Sequence, residues 1–188
     1  MRRRAIFHAL LPLGSAKVAL FVLMAVLGGL TFLLPDRISP NESPILASIE
    51  MHAKALPAIA GTTARSTMAH PAAYAISYAA ALFLGLVLGV LFSLAAANME
   101  PLIALARRQS IVARLLWFGA ATILLLTFVM FPAIEGQGMR SVNLLFDLIG
   151  SNRLFLLIWV ESIFVAVAAV GMWCLFELSN VVRADKTF

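Results

Sequence analysis

The chain has 188 residues, is 62% hydrophobic and 12% charged, and carries a mean hydropathy of +0.98 and a formal net charge of +5. Soluble domains carry about 25% charged residues, so this composition excludes an ordinary water-soluble globular protein and points to lipid as the solvent. The basic residues cluster beside apolar runs, which favours membrane topology over nucleic acid as the reason for the positive charge.

A membrane span needs about 20 mostly apolar residues. Four such runs and their connections account for the chain, which predicts an all-α integral membrane bundle in a single domain, residues 1–188. Met1-Arg2-Arg3-Arg4 and the apolar Ala5–Leu13 stretch, with Pro12 inside it, are too short to span and predict an interfacial start. Lys17 leads into the first span, residues 18–34, which Pro35-Asp36 stops. A basic start before an apolar run also describes a secretory signal peptide. The run is long for that role and no small-x-small site follows Leu30, so the expectation is an uncleaved signal anchor.

The outer connection, residues 35–72, is the longest. Ser43-Pro44 is a good helix start, a capping residue before proline at the first helical position. Ile45, Ile49 and Leu56 repeat on one side, with Glu50, His52 and Lys54 as polar partners, which predicts a short amphipathic helix ending near Pro57. Gly61 to Met68 reads as loop or irregular helix, and His70-Pro71 marks the approach to the second span.

The second span, residues 73–97, begins with Tyr74 and Tyr78, which suit a membrane interface. Along it Ala73, Ser77, Ala81, Gly85, Gly89, Ser93 and Ala97 recur at every fourth position among bulky apolar neighbours. This is a small-xxx-small seam, of the kind that lets another helix backbone come close. Steps of four drift by about 40° each around a helix of 3.6 residues per turn, so the seam winds and favours a right-handed crossing. Its partner is expected inside the chain, with Ala25 and Gly29 of the first span as candidates; a second copy or another membrane subunit is the alternative.

The inner connection, residues 98–114, holds Arg107, Arg108 and Arg114, which are placed to meet anionic headgroups or a cytoplasmic partner. The third span, residues 115–131, starts near Trp117 and stops at Pro132. The second outer connection, residues 132–153, contains the turn Glu135-Gly136-Gln137-Gly138 and a predicted short helix from Ser141 to Ile149. Arg153 opens the fourth span, residues 154–178, and Ser179–Phe188 forms the tail. Nine of the fourteen basic residues fall on the side of the two termini, which predicts both ends in the cytoplasm, as in a bacterial inner-membrane protein.

Glu161 is the one acidic group well inside a span, and no basic residue lies in any span to pair with it. An intramembrane carboxyl is costly and usually faces protein or water. Ser77, Tyr78 and Thr127 are candidates at similar depth. The structural reading is a hydrogen-bonded carboxyl between helices; the functional reading is a proton or cation site in a small transporter or channel component. Glu177 is expected to anchor at the inner headgroup layer, near Arg114 or Arg107. Cys174, the single cysteine, reads as a small core residue and excludes an intrachain disulfide. His8, His52 and His70 match no ligand spacing and read as solvated, with no metal or other cofactor implied. Gly-x-Ser-x-Gly, His-Glu-x-x-His and phosphate-cradling glycine loops are all lacking.

In size and span count the chain resembles immunity proteins that protect bacteria from pore-forming toxins, and accessory membrane proteins of secretion or conjugation systems. The resemblance carries no motif and implies no residue role. The expected function is a non-catalytic membrane subunit that acts by helix packing with another membrane protein or with itself. A transporter component using Glu161 is the alternative, and a membrane enzyme ranks last.

Overall fold

The computed structural model describes residues 13–64, 68–96, 110–130 and 147–184. Every regular element among them is helical. In chain order these are α1 (Leu13–Leu33), α2 (Pro44–Ala53), α3 (Pro57–Thr63), α4 (Pro71–Ala96), α5 (Ile111–Met130) and α6 (Arg153–Ala184). Residues 147–151 are also helical, so the end of the expected 141–149 helix is present; its beginning lies outside the described residues.

Two stretches are long and apolar enough to cross a membrane, Pro71–Leu94 of α4 and Arg153–Leu175 of α6. The apolar part of α1, Lys17–Leu33, is shorter. Most of the third expected span lies on α5, whose side chains are described only as far as Ile123, and Phe131 lies outside the described residues. Helix α6 runs on to Ala184, well into the stretch read as a tail. Its last turns hold no proline or glycine to stop them.

Proline shapes the 35–72 connection. Pro44, Pro57 and Pro71 each stand first in a helix, where the missing N–H costs nothing and the fixed φ suits the turn. Ser43 occupies the capping position of α2, but its side chain makes no capping hydrogen bond; its backbone N–H donates to Ser39 O at 3.0 Å. Of the two readings for the stretch from Gly61, loop or irregular helix, the helical one holds as far as Thr63. Pro57 starts α3, which continues through Gly61, Thr62 and Thr63. The threonine hydroxyls donate to Ala58 O and Ile59 O of their own helix at 2.9 and 2.8 Å. That bond lets Thr62 sit buried without an unsatisfied polar group.

The chain divides into two compact units. One takes Met1–Leu23, Leu84–Leu125 and Val165–Phe188; the other takes Met24–Phe83 and Leu126–Phe164. The second unit has a core of Leu27, Ile59, Tyr74, Ile149, Leu156, Val160 and Phe164, all fully buried. Tyr74 and Tyr78 lie in it with ring centroids 5.6 Å apart. In the first unit Leu88 and Val167 are fully buried, and the Trp117 and Trp173 rings lie 5.4 Å apart at its more exposed edge. Cys174 is half-buried there, 3.9 Å from Thr122 Oγ1.

Candidate functional site

The last carbonyls of a helix have no partner within it and carry the negative end of its dipole. At the end of α1 that need is met by Arg153, the first residue of α6. Its Nη1 donates to Thr31 O at 3.1 Å and Phe32 O at 2.5 Å, and its Nη2 to Leu34 O at 2.8 Å and Asp36 Oδ1 at 2.5 Å. A rigid, planar fork of donors suits this task, because several acceptors are reached from one fixed plane. Pro35 ends the helix just before, so Asp36 turns back within reach.

Asp36 then joins a second helix end to the first. Its Oδ1 lies 2.6 Å from His70 Nδ1, and its backbone carbonyl accepts from Ala72 N, in the first turn of α4, at 3.1 Å. Ala69 N donates to Gly150 O at 2.9 Å, which adds the approach to α6. The ends of α1, α4 and α6 are thus tied by one polar cluster. The Arg153 guanidinium, and after it His70, holds the Asp36 carboxyl below the usual carboxylate range. Asp36 is about half exposed, whereas His70 and Arg153 are mostly covered.

This cluster corrects the reading of His70 as a solvated loop histidine. His52 does lie exposed, with Nδ1 2.7 Å from Ser48 O of its own helix. Lys54 pairs with Glu50 one turn away. His8 lies outside the described residues. No group of three histidine, cysteine or acidic side chains among the described residues is placed to hold a metal ion.

The seam residues of α4 that are described face inward. Ala73, Ser77 and Ala81 are fully buried, Gly85 and Gly89 are buried, and Ser93 is 8% exposed. Ala97 lies outside the described residues. In the unit holding Met24–Phe83, Ser77 Oγ is 3.4 Å from Thr31 Oγ1, and the Thr31 hydroxyl donates to Leu27 O at 2.9 Å. In the other unit, Gly89 faces the backbone of α6. A Cβ added there would stand 2.9 Å from Ala168 O and 3.0 Å from Met172 N, and one added at Gly171 would stand 4.0 Å from Gly89 Cα. Ser93 bonds Val90 O at 2.9 Å and so needs no other partner.

The seam meets the first span at Thr31, through Ser77, but Ala25 and Gly29 are not the neighbours of Gly89. Ala25 is exposed, and a Cβ at Gly29 would meet nothing within 4 Å. Gly171 and Ala168 take that place. A signal for them was present, since Ala168, Gly171 and Cys174 recur at every third position on the last span.

Glu161 lies on the Arg153–Leu175 stretch and is half-buried. Among the described residues it makes no hydrogen bond or ion pair. Ser77 faces Thr31, and Tyr78 is buried beside Tyr74, so neither is brought to Glu161. The side chains of Thr127, Arg114 and Glu177 lie outside the described residues, as do Arg107 and Arg108 altogether. Beside Glu161 on α6, Leu154, Phe155 and Ile158 are exposed. Ser162 is exposed too, and its hydroxyl donates to Ile158 O at 2.7 Å.

No protein-family model matches the chain, and neither does any curated protein or any solved structure.

Proposed function

We propose that the chain is a non-catalytic integral membrane subunit, with four spans, both termini in the cytoplasm, and a role carried by helix packing in a larger assembly. The observation that carries the membrane part is the sorting of side chains on α4. Its small residues are buried, while Phe83, Leu86, Val87 and Val90 are exposed, Phe83 by 67%. Water would penalise so large an apolar face. Lipid accepts it, and helices in lipid associate where small residues allow backbones to approach.

The subunit part is supported by what the polar side chains do. Arg153, Asp36 and His70 bind helix ends to one another, a stabilising task. On the cytoplasmic face Arg107, Arg108 and Arg114 attract anionic headgroups at about 1 kcal/mol each. Extraction from native membranes in mild detergent, followed by native mass measurement, tests the reading. A stable particle heavier than the 20.3 kDa chain is the expected result. A lone 20.3 kDa monomer in every mild detergent contradicts it.

A further inference from the structure

Glu161 stands eight residues past Arg153, roughly 12 Å along the helix, which places it deep in a hydrocarbon core about 30 Å thick. A carboxyl at that depth is costly and is ordinarily paired. Within the described residues Glu161 has no such pair, and the side chains one and two turns before it, Ile158 and Leu154, are exposed. The expected spans offer no basic complement. No lysine, arginine or histidine lies within residues 18–34, 73–97, 115–131 or 154–178. Arg153, at the outer end of the same helix, already serves three carbonyls and Asp36. The seam of small residues is also occupied inside the chain, so a partner must use another face.

We propose that the α6 face formed by Leu154, Ile158, Glu161 and Ser162 docks a membrane helix of another protein that carries a lysine or arginine at the depth of Glu161. Charge decides the occupant. A second copy of this chain would bring the same acidic group to the contact and no basic one, since its spans hold no lysine, arginine or histidine. A basic group answers the carboxyl, while Leu154 and Ile158 supply apolar contact on the same side. Ser162 brings little of its own, because its hydroxyl is already bonded to Ile158 O. The proposal rests on the membrane-subunit reading above.

The test uses the full chain in phosphatidylcholine vesicles with a synthetic membrane-spanning leucine–alanine helix bearing one lysine about 12 Å from its outer end. A control peptide has leucine at that position. Energy transfer between labelled chain and peptide should show the lysine peptide binding about tenfold more tightly, the range of an interhelical polar contact in membranes. Glu161→Leu should abolish that preference and Glu161→Gln should reduce it, with helix content unchanged by circular dichroism. Equal binding of the two peptides overturns the proposal, as does a preference that survives Glu161→Leu. Self-association of the chain lost in Glu161→Leu overturns it in favour of a second copy. Proton flux lost in Glu161→Gln overturns it in favour of a conducting site. Alkaline washing of the same vesicles separates the two levels. A chain released by alkali refutes the membrane reading itself, whereas a chain that stays embedded and ignores the lysine refutes only the docking face.

Discussion

Arg153 has the largest single task among the described side chains, because four acceptors depend on it. Hydrogen bonds to charged groups contribute about 1.5–3 kcal/mol, and unmet carbonyls add a penalty of their own. Arg153→Gln should therefore lower stability in detergent by about 2 kcal/mol, read as an earlier unfolding transition. Asp36 adds a pH dependence. Its carboxyl titrates below the usual range when folded, mainly because of Arg153 and then His70. A carboxyl lowered on folding contributes stability at pH above its unfolded value, and that contribution disappears as pH falls through the folded value. Unfolding midpoints measured on descending pH should hold until about pH 4 and drop below it. Asp36→Asn should start lower and drop less. The three residues lie far apart in sequence, Asp36 and Arg153 by 117 positions, so no local spacing announces them. What was legible was their placement: each stands beside one end of an apolar run.

At the level of the helices, the two glycines Gly89 and Gly29 make a controlled comparison. Gly89 meets α6 backbone, which cannot swing away as a side-chain tip can. Gly89→Ala should push the two helices apart and cost about 1–3 kcal/mol, as overpacking does. Gly29→Ala meets open space, and helix propensity favours alanine by up to about 1 kcal/mol, so it should be neutral or mildly stabilising. Equilibrium unfolding in mixed micelles reads both. The long helices were legible because apolar runs bounded by proline and charge leave few alternatives. The partner of the seam was harder to see, because a fourfold repeat shows that a close neighbour exists without identifying it. Around Gly61 loop and irregular helix stood side by side, because glycine and threonine weaken helix propensity. Pro57 at a first helical position, together with the threonine hydroxyls bonding back to Ala58 and Ile59, prevailed locally.

For the molecule as a whole, the membrane reading depends on which residues meet the solvent. Val18, Phe21 and Val22 on α1, Phe83 on α4, Leu116 on α5, and Leu154 and Ile158 on α6 are all more than half exposed. Their common chemistry is apolar, and lipid is the solvent that suits it. Glu161 was legible as an isolated carboxyl, since charge stands out in an apolar run. Its half-exposed setting was not, because rotation of a helix apolar on every side leaves no periodic trace. The basic-residue asymmetry adds a direction to the membrane reading, with residues 35–72 outside and 98–114 inside. Cysteine accessibility measures both at once. In a Cys174→Ser background, Glu42→Cys and Ser110→Cys are each treated with a membrane-impermeant maleimide before and after the inner membrane is opened. The predicted result is labelling of Glu42→Cys while that membrane is intact, and of Ser110→Cys only once it is opened, in a protein that resists alkaline extraction. Equal labelling of the two positions across an intact membrane, or release of the chain by alkali, would contradict it.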